Sequence, residues 1–167
     1  SAIQYTLDRI CDYLGWPVGH AYLADREDGA RPTNIWNSSY PQQFDDFRHA
    51  TRNFRFRPGE GLIGQVISNR RTVWLNRPAE RANFLRKEAV RSAELNTALG
   101  VPVMVEADVV GVLEFFSPQE VEPDPELLEA LPHVGIQLGR VIERQRSEET
   151  LRRREAQLRS VVANLPV

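Results

Sequence analysis

The sequence is short of cysteine, of long apolar runs and of charge of one sign, and each shortage excludes a class of protein. Among its 167 residues it has one cysteine, Cys11. A single thiol cannot form an internal disulfide, a CxxC redox pair or a thiolate zinc site. An oxidising compartment is therefore not indicated, and we expect a cytoplasmic location.

Apolar runs in the sequence are too short to cross a membrane. The longest, VVGVLEFF at residues 109–116, contains Glu114 and falls far short of the roughly 20 residues that span a bilayer. The N-terminus also lacks the basic and apolar regions of a signal peptide. We expect no membrane segment in this chain.

Neither sign of charge is in large excess. The 21 Lys and Arg residues nearly balance 23 Asp and Glu residues, which leaves a net charge of −2 and no electrostatic footprint for nucleic acid or an anionic membrane. A composition of 41% hydrophobic and 26% charged residues is typical of globular proteins. At this length we predict one domain with attachments and no nucleic-acid partner.

The pattern of apolar residues predicts an α+β fold. Helical spacing over residues 2–14 ends at Gly15 and Pro17, alternation over 18–36 predicts a hairpin with a loose turn, and TVWL at 72–75 predicts a strand. Short helices are predicted around Phe44 and Phe47 and over 62–69 and 84–95. The clearest hairpin joins 97–105 to 109–117, which are rich in β-branched residues. We predict a central antiparallel sheet of five or six strands, with the first and last helices on one face and the short helices on the other.

A long helix is predicted to end the chain. Asp124 can cap it and Pro125 is a preferred first residue, whereas Pro132 predicts a kink or an interruption. Its first part carries apolar residues at the spacing of a helix–helix seam: Leu127, Leu131, Val134, Leu138 and Val141. Its second part has a leucine every seven residues: Leu151, Leu158 and Leu165. A continuous helix over 125–165 would be about 60 Å long, so its end must project from the domain.

Three segments resemble the GAF family of small-molecule-sensing domains. They are LDRICDYLGWPVGHAYL at 7–23, PGEGLIGQVISNRRTVWLNRP at 58–78 and TALGVPVMVEADVVGVLEFFSPQ at 97–119. The last 25 residues, ERQRSEETLRRREAQLRSVVANLPV, resemble the signalling helix that joins a GAF domain to a PAS domain. The resemblance implies a GAF sensory domain at 1–146, a coiled-coil linker at 147–165 and the start of a PAS-like domain at 166–167.

Such a resemblance also implies an origin and a partner. It indicates a module of a bacterial multidomain sensor, of the histidine kinase or diguanylate cyclase type, that passes a signal to downstream domains of the same chain. The heptad leucines, which only a second chain can cover, predict a parallel homodimer through the terminal helices.

The glycine-rich segment GEGLIGQV, Gly59 to Val66, matches the dinucleotide and kinase glycine patterns. Pro58 stands where a dinucleotide site needs a strand, and the lysine, HRD and DFG motifs of a kinase do not occur. We therefore predict that Gly59 and Gly61 allow a turn and that Gly64 lets a short helix lie close to a neighbour.

No catalytic residue or metal site is predicted. His20, His49 and His133 lack metal-ligand spacing, and Cys11 lies on the apolar face of the first helix, as a core thiol does. One cysteine argues against the sulfoxide reductases and bilin-binding members of the GAF family. Asn96 is followed by threonine and FFSPQ carries no Asp-Glu, which argues against cyclic nucleotides. The cofactor stays unknown, with no bilin, haem or metal indicated.

Five aromatic residues in separate segments are the candidates for a ligand pocket: Trp36, Phe54, Phe56, Trp74 and Phe84. We predict that they line or plug one cavity on the sheet face opposite the first and last helices. Glu114 is the charged residue inside the central hairpin, and a buried charge needs a partner, so we expect it to meet an arginine or a ligand amine. The chain is interpreted as a non-catalytic sensor, with a structural dimerisation spacer and a small enzyme as the alternatives.

Overall fold

Ten helices and strands follow one another in the computed structural model, which describes residues 1–25 and 27–166. In chain order they are α1 (Ala2–Leu14), β1 (Val18–Asp25), β2 (Gly29–Trp36), α2 (Asp45–Thr51), α3 (Gly61–Asn69), β3 (Val73–Asn76), α4 (Lys87–Ser92), β4 (Thr97–Val105), β5 (Asp108–Ser117) and α5 (Pro125–Ala163). Short 3-10 turns span Gln42–Phe44 and Pro78–Glu80. Arg26, in the predicted hairpin turn, and Val167, at the predicted start of a further domain, lie outside the described residues.

The five strands form one antiparallel sheet in the order β2-β1-β5-β4-β3. The predicted hairpin of β4 and β5 pairs over its whole length, from Thr97 opposite Ser117 to Val105 opposite Asp108. β5 is the central strand because β1 pairs along its other edge. The predicted α+β fold with a five- or six-stranded antiparallel sheet is confirmed.

Side chains of β5 alternate between the two faces of the sheet. Leu113 and Phe115 pack in a core with α1 and α5, which we call the α1/α5 face. Val112 and Phe116 pack on the opposite side with residues of α2, α3 and α4, which we call the α2–α4 face. The predicted division of the helices between the faces is confirmed, and Glu114, between Leu113 and Phe115 in the chain, lies on the α2–α4 face.

The glycine-rich segment has the packing role predicted for it. Gly59 and Gly61 adopt φ values of 88° and 59°, which L-residues with side chains rarely adopt. A Cβ on Gly64 would stand 2.3 Å from the Arg57 carbonyl oxygen. The segment therefore turns the chain tightly into α3.

Helix α5 lies unusually close to β4. A Cβ on Gly135 would stand 1.9 Å from the Pro102 carbonyl oxygen, and one on Gly139 would stand 1.7 Å from that of Met104. Only glycine at both positions allows this distance between helix and strand. The N-terminal part of α5 is thus docked on the central hairpin.

Of the kink or interruption predicted at Pro132, the interruption is wrong, because α5 runs without a break for 39 residues with Pro132 inside it. A proline removes one backbone hydrogen bond, and the neighbouring Leu131 is buried against the sheet. From Glu143 to Pro166 every residue is exposed. The helix ends at Ala163, so Leu165 lies two residues beyond it, just before a proline that disfavours helix at the preceding residue.

Candidate functional site

A charged cluster is buried in the centre of the α2–α4 face. Glu114, Arg86 and His20 are each at most 1% exposed. The two oxygens of Glu114 accept from both terminal nitrogens of Arg86, at 2.6 Å for Nη2 to Oε1 and 3.1 Å for Nη1 to Oε2. His20 Nδ1 lies 2.8 Å from Glu114 Oε2. The carboxylate is therefore held between two nitrogen-bearing side chains.

The sheet fixes two members of this cluster. His20 on β1 stands directly opposite Glu114 on β5, and Trp36 on β2 stands opposite His20. The His20 ring stacks on Trp36 with 3.9 Å between ring centres, and its Nε2 lies 2.8 Å from the Thr33 carbonyl oxygen. Both ring nitrogens therefore lie at hydrogen-bonding distance from an acceptor oxygen.

Arg86 reaches the cluster from a connecting segment. It is the residue just before α4, and it ends a stretch, 81–86, that has no helix or strand. Its Nη1 also donates to Thr51 Oγ1 at 3.3 Å, whereas its buried Nε has no hydrogen-bond partner. The guanidinium is thus held by the sheet while its backbone belongs to a loop.

Aromatic rings surround the guanidinium of Arg86. Five of them have centres between 5.1 and 5.8 Å from Cζ: Phe56, Phe47, Phe84, Phe116 and Tyr22. A cation within about 6 Å of an aromatic ring is attracted by the ring's quadrupole, more strongly where water is excluded. We call the space bounded by these rings, Glu114 and His20 the chamber, and Arg86 fills it.

The electrostatics of the chamber keep the pair ionised. Burial alone would raise the pKa of Glu114, but the charge of Arg86 and the hydrogen bond from His20 together hold that pKa below its ordinary value. Burial would lower the pKa of Arg86, but the charge and hydrogen bonds of Glu114, together with Tyr22, raise that pKa above its ordinary value. Burial raises the pKa of the neighbouring Tyr22, so its phenol stays neutral. Removing one partner from such a pair costs about 3–5 kcal/mol, because the other charge is left uncompensated.

The structure brings most of the predicted pocket residues together. Trp36, Phe56 and Phe84 are buried on the α2–α4 face, and Phe54 is half-buried beside Phe56, with 6.5 Å between their ring centres. Glu114 meets an arginine, one of the two partners expected for it. Whether these residues form a ligand pocket stays a prediction.

Trp74 is the exception, and its predicted place in this cavity is wrong. Its neighbours on β3, Val73 and Leu75, face the α2–α4 side, so strand alternation turns Trp74 to the α1/α5 face. There its ring meets that of Trp16 edge-on at 5.4 Å, and its Nε1 donates to the Val121 carbonyl oxygen at 3.1 Å.

Sequence reasoning missed Arg86 and His20 as members of the cluster. The alternation of VGHAYLA places His20 on the same side as Val18 and Tyr22, so its inward direction could have been predicted. Arg86 stands among charged residues in a segment predicted as a helix over 84–95, of which the structure forms only Lys87–Ser92. No local signal distinguishes it from its exposed neighbours.

An open groove adjoins the chamber between α2 and α4. Its volume is about 640 Å³, Phe47 lines both the groove and the chamber, and Arg86, which fills the chamber, also lines the groove. Ala50 and Leu85 add apolar surface to it, with charged side chains such as those of Asp46 and Lys87 at other points of the lining. The groove is the route by which a small molecule could approach Arg86.

Cys11 lies far from this chemistry, in the core of the α1/α5 face. Burial, with smaller contributions from Asp8 and Asp12, raises the pKa of its thiol to about 12. The thiol is therefore protonated at neutral pH and is a poor nucleophile. Within residues 1–25 and 27–166, no group of three His, Cys, Asp or Glu residues could hold a metal ion, and no helix is long and apolar enough to cross a membrane.

Comparison with known structures shows the same fold in proteins of low sequence identity. A GAF domain of a phosphoenolpyruvate-protein phosphotransferase from Coxiella burnetii is 15% identical with a TM-score of 0.69, covering 89% of this chain and 84% of that one. A domain described as part of a two-component sensor histidine kinase from Sinorhizobium meliloti is 18% identical with a TM-score of 0.64, over 90% and 94%. Free methionine-R-sulfoxide reductase from Neisseria meningitidis, in complex with its substrate, is 19% identical with a TM-score of 0.67, over 87% and 78%.

Sequence comparison assigns the family directly. No curated protein matches the sequence, but the family model of the GAF domain matches residues 1–143. That match includes the whole sheet, the chamber and the docked part of α5. The chain belongs to the GAF domain family.

Proposed function

We propose that this GAF domain is a non-catalytic sensory module that binds a small molecule on the α2–α4 face and relays its state through a dimeric α5. The observation that carries the proposal is the continuity of α5. The helix that docks on β4 is the same helix that continues, fully exposed, beyond Glu143. A change in the sheet would therefore reach whatever follows the chain.

The path from the chamber to α5 is short. Glu114 pairs with Gly100 of β4 across the sheet, and the adjacent residues Leu99 and Val101 pack with α5 on the other face. A ligand that moves β5 or β4 by a fraction of an ångström would also move α5, because a close-packed core transmits strain.

The exposed part of α5 has the features of a dimer interface. Leu151 and Leu158 are 57% and 64% exposed, and an apolar stripe of this kind is covered when two helices pair. An ion pair between Glu149 and Arg153 stabilises the helix itself. A parallel pair of helices would place two copies of the downstream domains side by side. In this proposal a PAS-like domain comes first and a kinase or cyclase domain follows it.

A cytoplasmic location remains a prediction from the single cysteine.

Two other functions compete with this one. A structural spacer is favoured by the chamber being filled by Arg86. An enzyme is suggested by the similarity to a methionine sulfoxide reductase, but the thiol of Cys11 lies on the opposite face of the sheet from the chamber. This separation supports the non-catalytic role.

Native mass spectrometry and sedimentation of the purified chain test the proposal. We expect a dimer at micromolar concentration with a small molecule retained, and Leu158→Asp should shift the equilibrium strongly to monomer. Gln157→Asp places the same charge on the neighbouring exposed residue and is the matched control. A monomeric parent would contradict the relay, and a dimer without any ligand under all conditions would favour the spacer. If Leu158→Asp and a truncation after Glu143 are both as dimeric as the parent, the interface lies in the domain body instead.

A further inference from the structure

We propose that the chamber is a binding site for an organic cation, a guanidinium or an alkylammonium, and that Arg86 is a built-in occupant which the ligand displaces. This inference rests on the proposed small-molecule function and specifies the chemistry of the ligand. It follows from what the chamber offers, how Arg86 is attached and where space adjoins it.

The chamber is built to receive a positive charge. Its fixed acceptor is the Glu114 carboxylate at the middle of the central strand, and five aromatic rings present themselves to the group that Glu114 binds. An anion placed there would meet the carboxylate, and a neutral molecule would leave it with His20 alone. A ligand that replaces Arg86 must therefore bring a cation of its own.

The residues that bind the cation and Arg86 itself belong to different parts of the fold. Glu114, His20 and Tyr22 lie on paired strands of the sheet. Arg86 comes from the connection between the 3-10 turn Pro78–Glu80 and the six-residue α4. A short helix and its loop open at lower cost than central strands do, so the arginine can leave while the acceptor and most of the rings stay.

The hydrogen bonding of Arg86 is incomplete. Its Nε is buried without a hydrogen-bond partner, and the groove of about 640 Å³ adjoins it between α2 and α4. The groove has room for the displaced side chain or for the body of a ligand. A cation that satisfies Glu114 without leaving a buried donor unpaired would compete effectively with Arg86.

Chemical rescue tests the site. Arg86→Ala removes the part of the side chain that ethylguanidine reproduces, and we expect the variant to melt about 10 °C below the parent, because Glu114 loses its main partner. Ethylguanidinium chloride should restore much of this loss as its concentration rises through the millimolar range. Ethylurea, the neutral analogue of similar shape, should not restore stability, and Arg91→Ala, at an exposed arginine in the neighbouring helix α4, should show no rescue. The double variant Arg86→Ala with Glu114→Gln should also lose the rescue.

Equal effects of ethylguanidine and ethylurea, or rescue that survives Glu114→Gln, would overturn the proposal. If Arg86→Ala does not fold, refolding yield with and without ethylguanidine gives the same comparison.

A second experiment uses agmatine and the parent chain. Agmatine should change the tryptophan fluorescence saturably, and half-saturation should need a concentration at least about tenfold higher than in Arg86→Ala, because Arg86 competes with agmatine. Trp36→Phe should remove the signal, since Trp36 stacks on His20.

A parent chain without a saturable response to agmatine would also overturn the proposal, because Arg86 would then be a fixed core residue. Failure here is distinguishable from failure of the proposed function. A dimer that retains a neutral or anionic molecule would contradict only the cation site. A monomer that binds agmatine in the chamber would contradict only the relay.

Discussion

At the scale of single residues, the most consequential feature of this protein is a glutamate in the middle of the central strand. Glu114 is fully buried between apolar neighbours and is stable there only because Arg86 and His20 meet it. A buried ion pair is weak evidence for stability, since apolar residues of similar volume often serve as well. In the proposal above, the pair instead gives the chamber its specificity for a cation.

Replacing both members of the pair should cost less than the sum of the two single replacements. We expect Glu114→Leu or Arg86→Leu alone to lower the free energy of unfolding by about 3–5 kcal/mol, because each leaves an uncompensated buried charge. The double variant should be less destabilised than the sum of the two, with a coupling of about 1–3 kcal/mol. Urea unfolding measures all three, and additive effects would contradict the buried pair.

Acid should weaken the fold through Glu114. Its folded-state pKa lies below its ordinary value because Arg86 and His20 outweigh burial. The resulting stability is therefore complete above the unfolded-state pKa of about 4.3 and is lost as pH falls through the folded-state pKa. We expect the free energy of unfolding to fall more steeply below about pH 4.3 in the parent than in Glu114→Gln. Parallel pH profiles would contradict this.

The reactivity of Cys11 gives an independent check of the α1/α5 core. A buried thiol with a pKa of about 12 carries almost no thiolate at pH 8, so a thiol reagent should label it only when the chain opens. We expect labelling in native buffer to be slower by several orders of magnitude than in denaturant, and to follow the unfolding equilibrium. Fast labelling of the native chain would show that α1 does not cover the sheet as described.

At the scale of elements, periodicity determined what could be predicted and where prediction failed. Alternation located β1 and β2, β-branched residues located β4 and β5, and the 4-3 spacing located α5. The same alternation, not applied to a strand of four residues, would have turned Trp74 away from the chamber. Arg86 could not be predicted, because a loop residue reaches its partner through tertiary packing that leaves no periodic signal.

The contact of α5 with β4 depends on small residues that periodicity does not explain. Gly139→Ala would place a methyl group 1.7 Å from the Met104 carbonyl oxygen, so helix and strand must separate. We expect a loss of about 1–3 kcal/mol in the free energy of unfolding. Ser147→Ala, at an exposed position further along the same helix, should change it by less than about 0.5 kcal/mol. A tolerated alanine at 139 would contradict the tight docking of α5.

At the scale of the whole molecule, the chain is a sheet with two unlike faces. One face holds a charged chamber that adjoins an open groove, and the other holds a helix whose residues from Glu143 to Ala163 are all exposed. Strand β4 connects the two faces: its Gly100 pairs with Glu114 of the chamber, and its Leu99 and Val101 pack with α5. In the function proposed above, the chamber is the input side of a sensor and α5 is its output side.

The central claim is that the state of the chamber reaches the exposed part of α5. The most direct test uses a dimer of Ser147→Cys with a nitroxide label at position 147 of each chain. Pulsed electron paramagnetic resonance measures the distance between the two labels. We predict that Glu114→Gln, introduced under conditions where the domain stays folded, changes this distance distribution, whereas Arg91→Ala leaves it as in the parent. Identical distributions in all three proteins would contradict the relay from chamber to helix.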